Sequence, residues 1–393
     1  MLGQNNWLKY VLVAVVLVAV VSVGAALFGI GGANKQEEVH EEKVDFGNEL
    51  FDFEAHRGGR DARPENTLYA YAYAMEMGAT TIECDMQLTK DDRIVMSHNP
   101  ILNHNLTKDE NGKYVEDGKY DIRNMTLAEI QKFDVGTMDP NSGEYYEGHG
   151  RTQVSVPGAR IPTLDEVFEL IKEYGDDKVI INAETKSYPD PLSGAAYENN
   201  VDPIRFVKVF NEVVKKYNME DRVLLQSFDW RTLIEMKKIN PKIKLVALWQ
   251  EQPSWGPDAL SLRAYEEGKS PWLGGLDIDD YKGNPILAAH AIGVNVVSPY
   301  FMEFSKQNVE QAHELGMKVV PWTVNDVNDM NMMINMGVDG IITDKPWILR
   351  NVLEKRGIAM RQPVINEGSI YHTGTEHIEV ETKKLTGGAD AAE

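Results

Sequence analysis

Residues 80–86 read TTIECDM, a β-branched run that carries two carboxylates, Glu83 and Asp85, two positions apart. Side chains at i and i+2 of a strand point to the same face, so the two acids stand side by side. Seven further runs of this kind punctuate the chain: LFDFEAH (50–56), KVIINAET (178–185), RVLLQSF (222–228), KIKLVALW (242–249), VNVVSPY (294–300), KVVPWTV (318–324) and DGIITD (339–344). Most gaps between them hold amphipathic segments such as TLDEVFELIKEYG (163–175) and FVKVFNEVVKKY (206–217). Eight strand–helix units in a chain of 393 residues predict an α/β fold, a TIM (β/α)8 barrel over residues 50–356. A doubly wound sheet is the alternative, but no Gly-rich dinucleotide turn follows the first run.

The regularity breaks once. After VMSHNP (95–100), about 60 residues pass before helical periodicity resumes at Thr163, which places an insertion after the second strand at about 101–160. Within it, DENGKYVEDGKYD (109–121) has its glycine at the fourth position rather than the sixth and no closing glutamate, so it is not an EF-hand.

Outside the barrel the chain changes character. Tyr10 to Ile30 is uncharged over 21 residues, the length that spans a hydrocarbon core of about 30 Å. Trp7, Lys9 and Tyr10 lie where interfacial anchors belong. Residues 1–32 therefore read as one N-terminal transmembrane helix or, in the alternative, a signal segment cleaved near Gly31-Gly32-Ala33. Lys9 on one side and Glu37, Glu38, Glu41 and Glu42 on the other orient the barrel away from the cytoplasm. The expected protein is membrane-anchored with an extracytoplasmic catalytic domain, or secreted after cleavage. Residues 33–49 are a polar linker, and 357–393 an extension expected to be loosely ordered.

Lys and Arg total 40 against 61 Asp and Glu, a net charge of −21 that disfavours nucleic acid as a partner. One cysteine, Cys84, excludes an intramolecular disulfide and a thiolate metal cluster.

Barrel enzymes carry their chemistry at the C-terminal ends of strands. Here those ends supply His56-Arg57-Gly58, Glu83-Cys84-Asp85, Glu184-Thr185-Lys186, Gln226-Ser227-Phe228, Trp322 and Asp344-Lys345, and a hairpin after the second strand supplies Ser97-His98-Asn99. Glu83, Asp85 and Glu184 form an oxygen set suited to Ca²⁺ or Mg²⁺, with salt bridging to Lys186 or Arg57 as the competing reading. His56 and His98 are two imidazoles on the same rim, one suited to act as base and the other as acid. Arg57 and Lys186 bring positive charge for an anionic substrate, and Trp322 is a candidate pocket floor. The remaining histidines, at 40, 104, 149, 290, 313, 372 and 377, are assigned to surface or loops. Gly58 and Gly59 are read as room for backbone near substrate, and Pro64 and Asn66 as the start of the first outer helix.

Six ordered motifs, HRGGRDARPENT, IECDMQLTKDDRIVMSHNP, INAETK, LLQSF, VVPWTVN and DGIITDKP, closely resemble those of the glycerophosphodiester phosphodiesterases, over about residues 50–356. The resemblance implies a TIM barrel that hydrolyses small or lipid-derived glycerophosphodiesters to sn-glycerol 3-phosphate and an alcohol. It implies His56 and His98 as the acid/base pair and a divalent cation on Glu83, Asp85 and Glu184. It also implies phosphate contacts from Arg57 and Lys186, with Glu65 as a supporting residue. Ca²⁺ is favoured for an extracytoplasmic site, with Mg²⁺ as the alternative. Attack by a substrate hydroxyl to give a cyclic phosphate, as in the related phosphatidylinositol-specific phospholipases C, is a further implication. Asn99 departs from the family pattern, which commonly has Asp there. Phospholipase D-like hydrolysis of lysophospholipids or envelope polymers is the alternative activity, although venom-type relatives of that kind carry disulfides. A non-catalytic envelope-binding barrel is the alternative outside enzymes, and the intact His and carboxylate set opposes it.

Overall fold

The computed structural model describes residues 50–189, 201–252, 261–262 and 269–375. All eight expected runs form strands of one sheet: β1 (Asp52–Ala55), β2 (Thr81–Leu88), β4 (Ile180–Thr185), β5 (Val223–Ser227), β6 (Lys244–Trp249), β7 (Val296–Pro299), β8 (Lys318–Val319) and β9 (Gly340–Thr343). β3 (Ile94–Met96) is the antiparallel arm of a hairpin on β2. The other strands pair in parallel in the order β8-β7-β6-β5-β4-β2-β1-β9. Backbone hydrogen bonds from Asp339 to Val319, from Ile342 to Pro321 and from Val324 to Ile342 link the two end strands, so the ring is a nearly closed TIM-like barrel.

The period-two alternation of the strands separates two environments. On β2, Ile82, Cys84 and Met86 enter the main hydrophobic core shared with the outer helices, as Ile181 and Ala183 do from β4. The alternate positions, Glu83, Asp85 and Gln87 on β2 and Asn182 and Glu184 on β4, are buried without joining that core. Inside the barrel, Val246, Val296, Val320 and Ile342 form a small apolar plug. The outer helices begin on side-chain caps. Thr163 and Glu166 form a reciprocal capping box on Leu164–Tyr174, and Asp202 caps Pro203–Tyr217.

The insertion folds on a core of its own, with Val95, Leu102, Val115, Ile122, Ile130, Phe133, Val135 and Ile161 packed together. It fastens to the loop after β1: Gln153 Nε2 donates to Arg60 O at 2.7 Å, Thr152 Oγ1 to Asp61 O at 2.7 Å and Val154 N to Ala62 O at 2.9 Å.

Two expectations are corrected. The first outer helix is Leu68–Glu76, capped by Thr67, while Asn66 adopts a left-handed conformation and turns into the site. Gly58 and Gly59 have φ of +83° and +97°, but a Cβ there would meet Ala70 Cβ at 2.7 Å and Pro346 Cγ at 2.8 Å. They therefore allow close packing of the chain itself. The extension beyond residue 356 is held to the barrel as far as residue 375: buried Arg361 pairs with Asp176, and fully buried Arg63 donates to Thr373 Oγ1 at 2.6 Å and to Gly374 O at 2.7 Å. The expected membrane span at residues 10–30 lies outside the described residues, among which no helix is long and apolar enough to cross a membrane.

Candidate active site

The carboxylates meet because register puts them together. Asp85 on β2 is the Cα partner of Glu184 on β4, and Glu184 is in turn the partner of Gln226 on β5. Glu83, Asp85 and Glu184 are all buried and each offers an oxygen within 4.8 Å of the others. Ion pairs reach two of the three. Lys186 Nζ lies 2.9 Å from Glu184 Oε2 and 3.2 Å from Asp85 Oδ1, and Arg57 Nε lies 3.2 Å from Asp85 Oδ2. Glu83 is bound by neutral donors, Arg57 N at 2.8 Å and Gln226 Nε2 at 2.8 Å. Gln226 is held from behind by Asn182, whose amide also reaches Glu54.

The electrostatics follow from that arrangement. Burial, then repulsion from Asp85 and Glu184, pushes the Glu83 carboxyl well above its usual range. Burial raises Glu184 to about 7 in spite of Lys186. Burial also opposes ionisation of Asp85, but Lys186 and Arg57 outweigh it and hold that group well down. Asp85 Oδ1 meets Lys186 as an ion pair but accepts no hydrogen bond among the described residues. Three buried carboxylates that converge within 4.8 Å, with only Lys186 and Arg57 as close ion-pair partners, fit a hard divalent cation.

Two imidazoles face this centre. His56 begins the short turn after β1, and its Nδ1 lies 2.5 Å from Asp344 Oδ1 at the end of β9. Asn325 Nδ2 donates to the other oxygen of Asp344 at 2.7 Å. His56 Nε2 is 3.9 Å from Glu83 Oε2. Burial lowers the His56 pKa while Asp344 pulls it back. His98 follows β3, and its Nδ1 lies 2.7 Å from Asn99 Oδ1. Burial, then Arg57 and Lys186, lowers His98 well below the ordinary imidazole value. In both rings the bond at Nδ1 leaves Nε2 for chemistry.

Glu65 bridges Arg57 at 3.0 Å and Arg60 at 2.8 Å, and the two guanidiniums overcome its burial to hold its pKa at about 2. Asn66 Nδ2 donates to Asp85 Oδ2 at 2.8 Å, and Asn66 Oδ1 accepts from Asp85 N at 3.1 Å.

A cavity of about 430 Å³ in the barrel mouth is lined by His56, His98, Glu83, Glu184, Arg57, Lys186, Asn99 and Gln226. Trp322, Phe228 and Trp272 form an aromatic wall. The rings of Phe228 and Trp322 are perpendicular at 5.4 Å, and Trp322 Nε1 donates to Ser298 O at 2.9 Å. Thus the structure brings all eleven sequence-selected residues to one rim, with Asp85 and Glu65 just behind the cavity surface. Sequence reasoning missed the connecting residues. The sequence marks Asp344 only as a strand end and Asn66 as a helix start, and it carries no local signal for Arg60 or Tyr145. His149, assigned to the surface or a loop, places Nδ1 2.7 Å from Asp61 Oδ1.

A model of the glycerophosphoryl diester phosphodiesterase family matches residues 56–347. A glycerophosphodiester phosphodiesterase of Caldanaerobacter subterraneus subsp. tengcongensis is 34% identical over 303 residues, covering 77% of this chain and 98% of the relative. One of Bacillus subtilis is 27% identical over 298 residues, covering 76% and 85%. Among solved structures, one from Silicibacter pomeroyi assigned to the same family superposes with a TM-score of 0.68 at 30% identity, covering 80% of this chain and 96% of that one. A phosphodiesterase of Oleispira antarctica, solved with the product sn-glycerol 3-phosphate, shares the fold at a TM-score of 0.54 and 22% identity, covering 78% and 97%.

Proposed function

The chain belongs to the glycerophosphoryl diester phosphodiesterase family, and on that premise we propose that it hydrolyses glycerophosphodiesters to sn-glycerol 3-phosphate and an alcohol by two-histidine catalysis that depends on a divalent cation. The observation that carries this reading is the convergence of His56, His98, Glu83 and Glu184 on one cavity with Arg57 and Lys186.

His56 is the base. Its Nδ1–H donates to the Asp344 carboxylate, which stabilises the imidazolium formed when Nε2 takes the proton of the attacking oxygen. His98 is the acid. Its Nδ1–H rests on a neutral amide oxygen and two cations stand nearby, so the protonated ring gives up its Nε2 proton readily to the departing ester oxygen. Where the attacking oxygen is a substrate hydroxyl, the product is a cyclic phosphate, and water opens it with the two roles exchanged. Arg57 and Lys186 orient the phosphate anion. Glu83, Asp85 and Glu184 would hold the cation, which supplies polarisation of a phosphoryl oxygen. The oxygen-only set suits Ca²⁺, which we favour, or Mg²⁺.

We place the catalytic domain outside the cytoplasm, tethered through residues 10–30; protease accessibility on intact cells tests that placement. The activity is tested by release of sn-glycerol 3-phosphate from glycerophosphodiesters with and without chelator. Release that survives exhaustive cation removal, or persists in His56→Ala, overturns the mechanism.

A further inference from the structure

Two cavities meet at this rim. The second, of about 270 Å³, lies between the barrel and the insertion and is bounded by Glu65, Asn103, Tyr145 and His149. Arg57, Arg60, His98 and Asn99 line both cavities, whereas His56 lines only the one in the barrel mouth. A phosphodiester has two ester arms, and displacement in line puts the attacking and departing oxygens on opposite sides of phosphorus. The base His56 lies in the barrel mouth. The departing arm therefore points into the cavity that His98 lines and His56 does not.

We propose that the insertion cavity is the leaving-alcohol subsite and that it selects an uncharged, hydroxyl-bearing alcohol over one carrying a quaternary ammonium. This rests on the two-histidine reading above. In the step assigned here, the P–O bond to the alcohol breaks and His98 Nε2 supplies the proton to that oxygen.

The lining favours hydroxyls. Tyr145 Oη lies 2.9 Å from Arg60 Nη2, 3.1 Å from Asn103 Nδ2 and 3.3 Å from Glu65 Oε2, a polar corner of donors and acceptors. Arg60 is 8% exposed, and its Nε–H has no hydrogen-bond partner among the described residues. Met96, Leu102, Leu106 and Ile161 add apolar lining that suits the carbon skeleton of a small polyol.

The same lining disfavours a methylated ammonium. Such groups are held by cages of aromatic faces. Tyr145 is the one Tyr, Phe or Trp among the described lining residues, and the Arg60 guanidinium already lies 5.6 Å from its ring centroid. His149 meets the same ring at 5.5 Å, and Arg57 and Arg60 add like charge.

The test compares kcat/KM, with divalent cation supplied, for glycerophosphoglycerol and glycerophosphocholine on the unaltered protein, on Tyr145→Phe and on Asn103→Leu. The expected result is a preference for glycerophosphoglycerol of about tenfold or more, which falls towards unity in either variant that keeps the parent melting temperature. The preference of the unaltered protein is read without any variant. Equal or better turnover of glycerophosphocholine overturns the selectivity and moves the head group to the aromatic wall of the barrel mouth. A preference unmoved in both folded variants overturns the assignment of the cavity. Failure to release sn-glycerol 3-phosphate from either substrate overturns the underlying reading instead.

Discussion

Asp344 Oδ1 lies 2.5 Å from His56 Nδ1, joining the last barrel strand to the first across 288 positions of sequence. Asn325 fixes Asp344 at two points: its Nδ2 donates to the carboxylate oxygen Oδ2 at 2.7 Å, and its Oδ1 accepts from the backbone N of Asp344 at 2.9 Å. The pair sets the tautomer of His56 and leaves Nε2 unprotonated. An amide at residue 344 can donate to Nδ1 as well as accept, which moves the ring proton to Nε2. Asp344→Asn is therefore expected to lower kcat by about 10²–10⁴-fold with little change in KM. A kcat within threefold of the parent would remove Asp344 from the mechanism.

The carboxylate triad predicts a thermal signature of cation binding that needs no turnover. Glu83 has neutral donors on both oxygens, so its repulsion from Asp85 and Glu184 is relieved only partly by Lys186 and Arg57. A cation bound to the folded state at 100 times its Kd stabilises by about 2.7 kcal/mol. Ca²⁺ or Mg²⁺ should raise the melting temperature of chelator-treated protein by several degrees, and Glu83→Gln combined with Glu184→Gln should abolish the rise. An unchanged melting temperature in millimolar cation would leave the triad as a structural ion-pair cluster.

The barrel was legible because strands buried on both faces become β-branched runs, and eight of them recur through the chain. The site was legible where chemistry is concentrated locally, as in His56-Arg57 and Glu83-x-Asp85. It was not legible where function depends on partners brought together by closure. Nothing near Asp344 in sequence points to His56, because the link exists only when β9 pairs with β1. Asn66 looks like a helix cap by residue type, yet Thr67 does the capping and Asn66 braces Asp85 through two hydrogen bonds. The polar insertion concealed its contribution for the same reason. Tyr145 matters through Arg60 and Glu65, which lie 85 and 80 positions away.

Asn99 makes a pH prediction with a definite sign. Its neutral Oδ1 sits 2.7 Å from His98 Nδ1, while burial, Arg57 and Lys186 depress the His98 pKa. As the acid, His98 must be protonated while His56 is neutral, and because the His98 pKa is the more strongly depressed, only a small fraction of the enzyme holds that pair of states at any pH. A carboxylate at position 99 stabilises imidazolium and raises that pKa. In Asn99→Asp that fraction grows, so the maximum of the kcat/KM profile should rise and its acidic limb should move to higher pH, while the alkaline limb, set by His56, stays in place. An unchanged or lower maximum with an unmoved acidic limb would exclude His98 as the acid.

The C-terminal extension is expected to contribute to stability without touching catalysis. Arg361 is 8% exposed, pairs with buried Asp176 and donates to Ala79 O at 2.9 Å, so one side chain ties the extension to the turn before β2 and the turn before β4. Removing the guanidinium leaves the Asp176 carboxylate buried without that partner, a loss of about 3–5 kcal/mol. At about 1–2 °C per kcal/mol for a chain of this size, Arg361→Met should melt roughly 5 °C lower. Arg361 lines neither cavity at the rim, so kcat measured well below the melting range should stay within about twofold of the parent. A melting temperature within 2 °C of the parent would show the pair to be dispensable. A large loss of kcat in folded protein would instead connect the extension to the site, through the loop that carries Arg63 and His56.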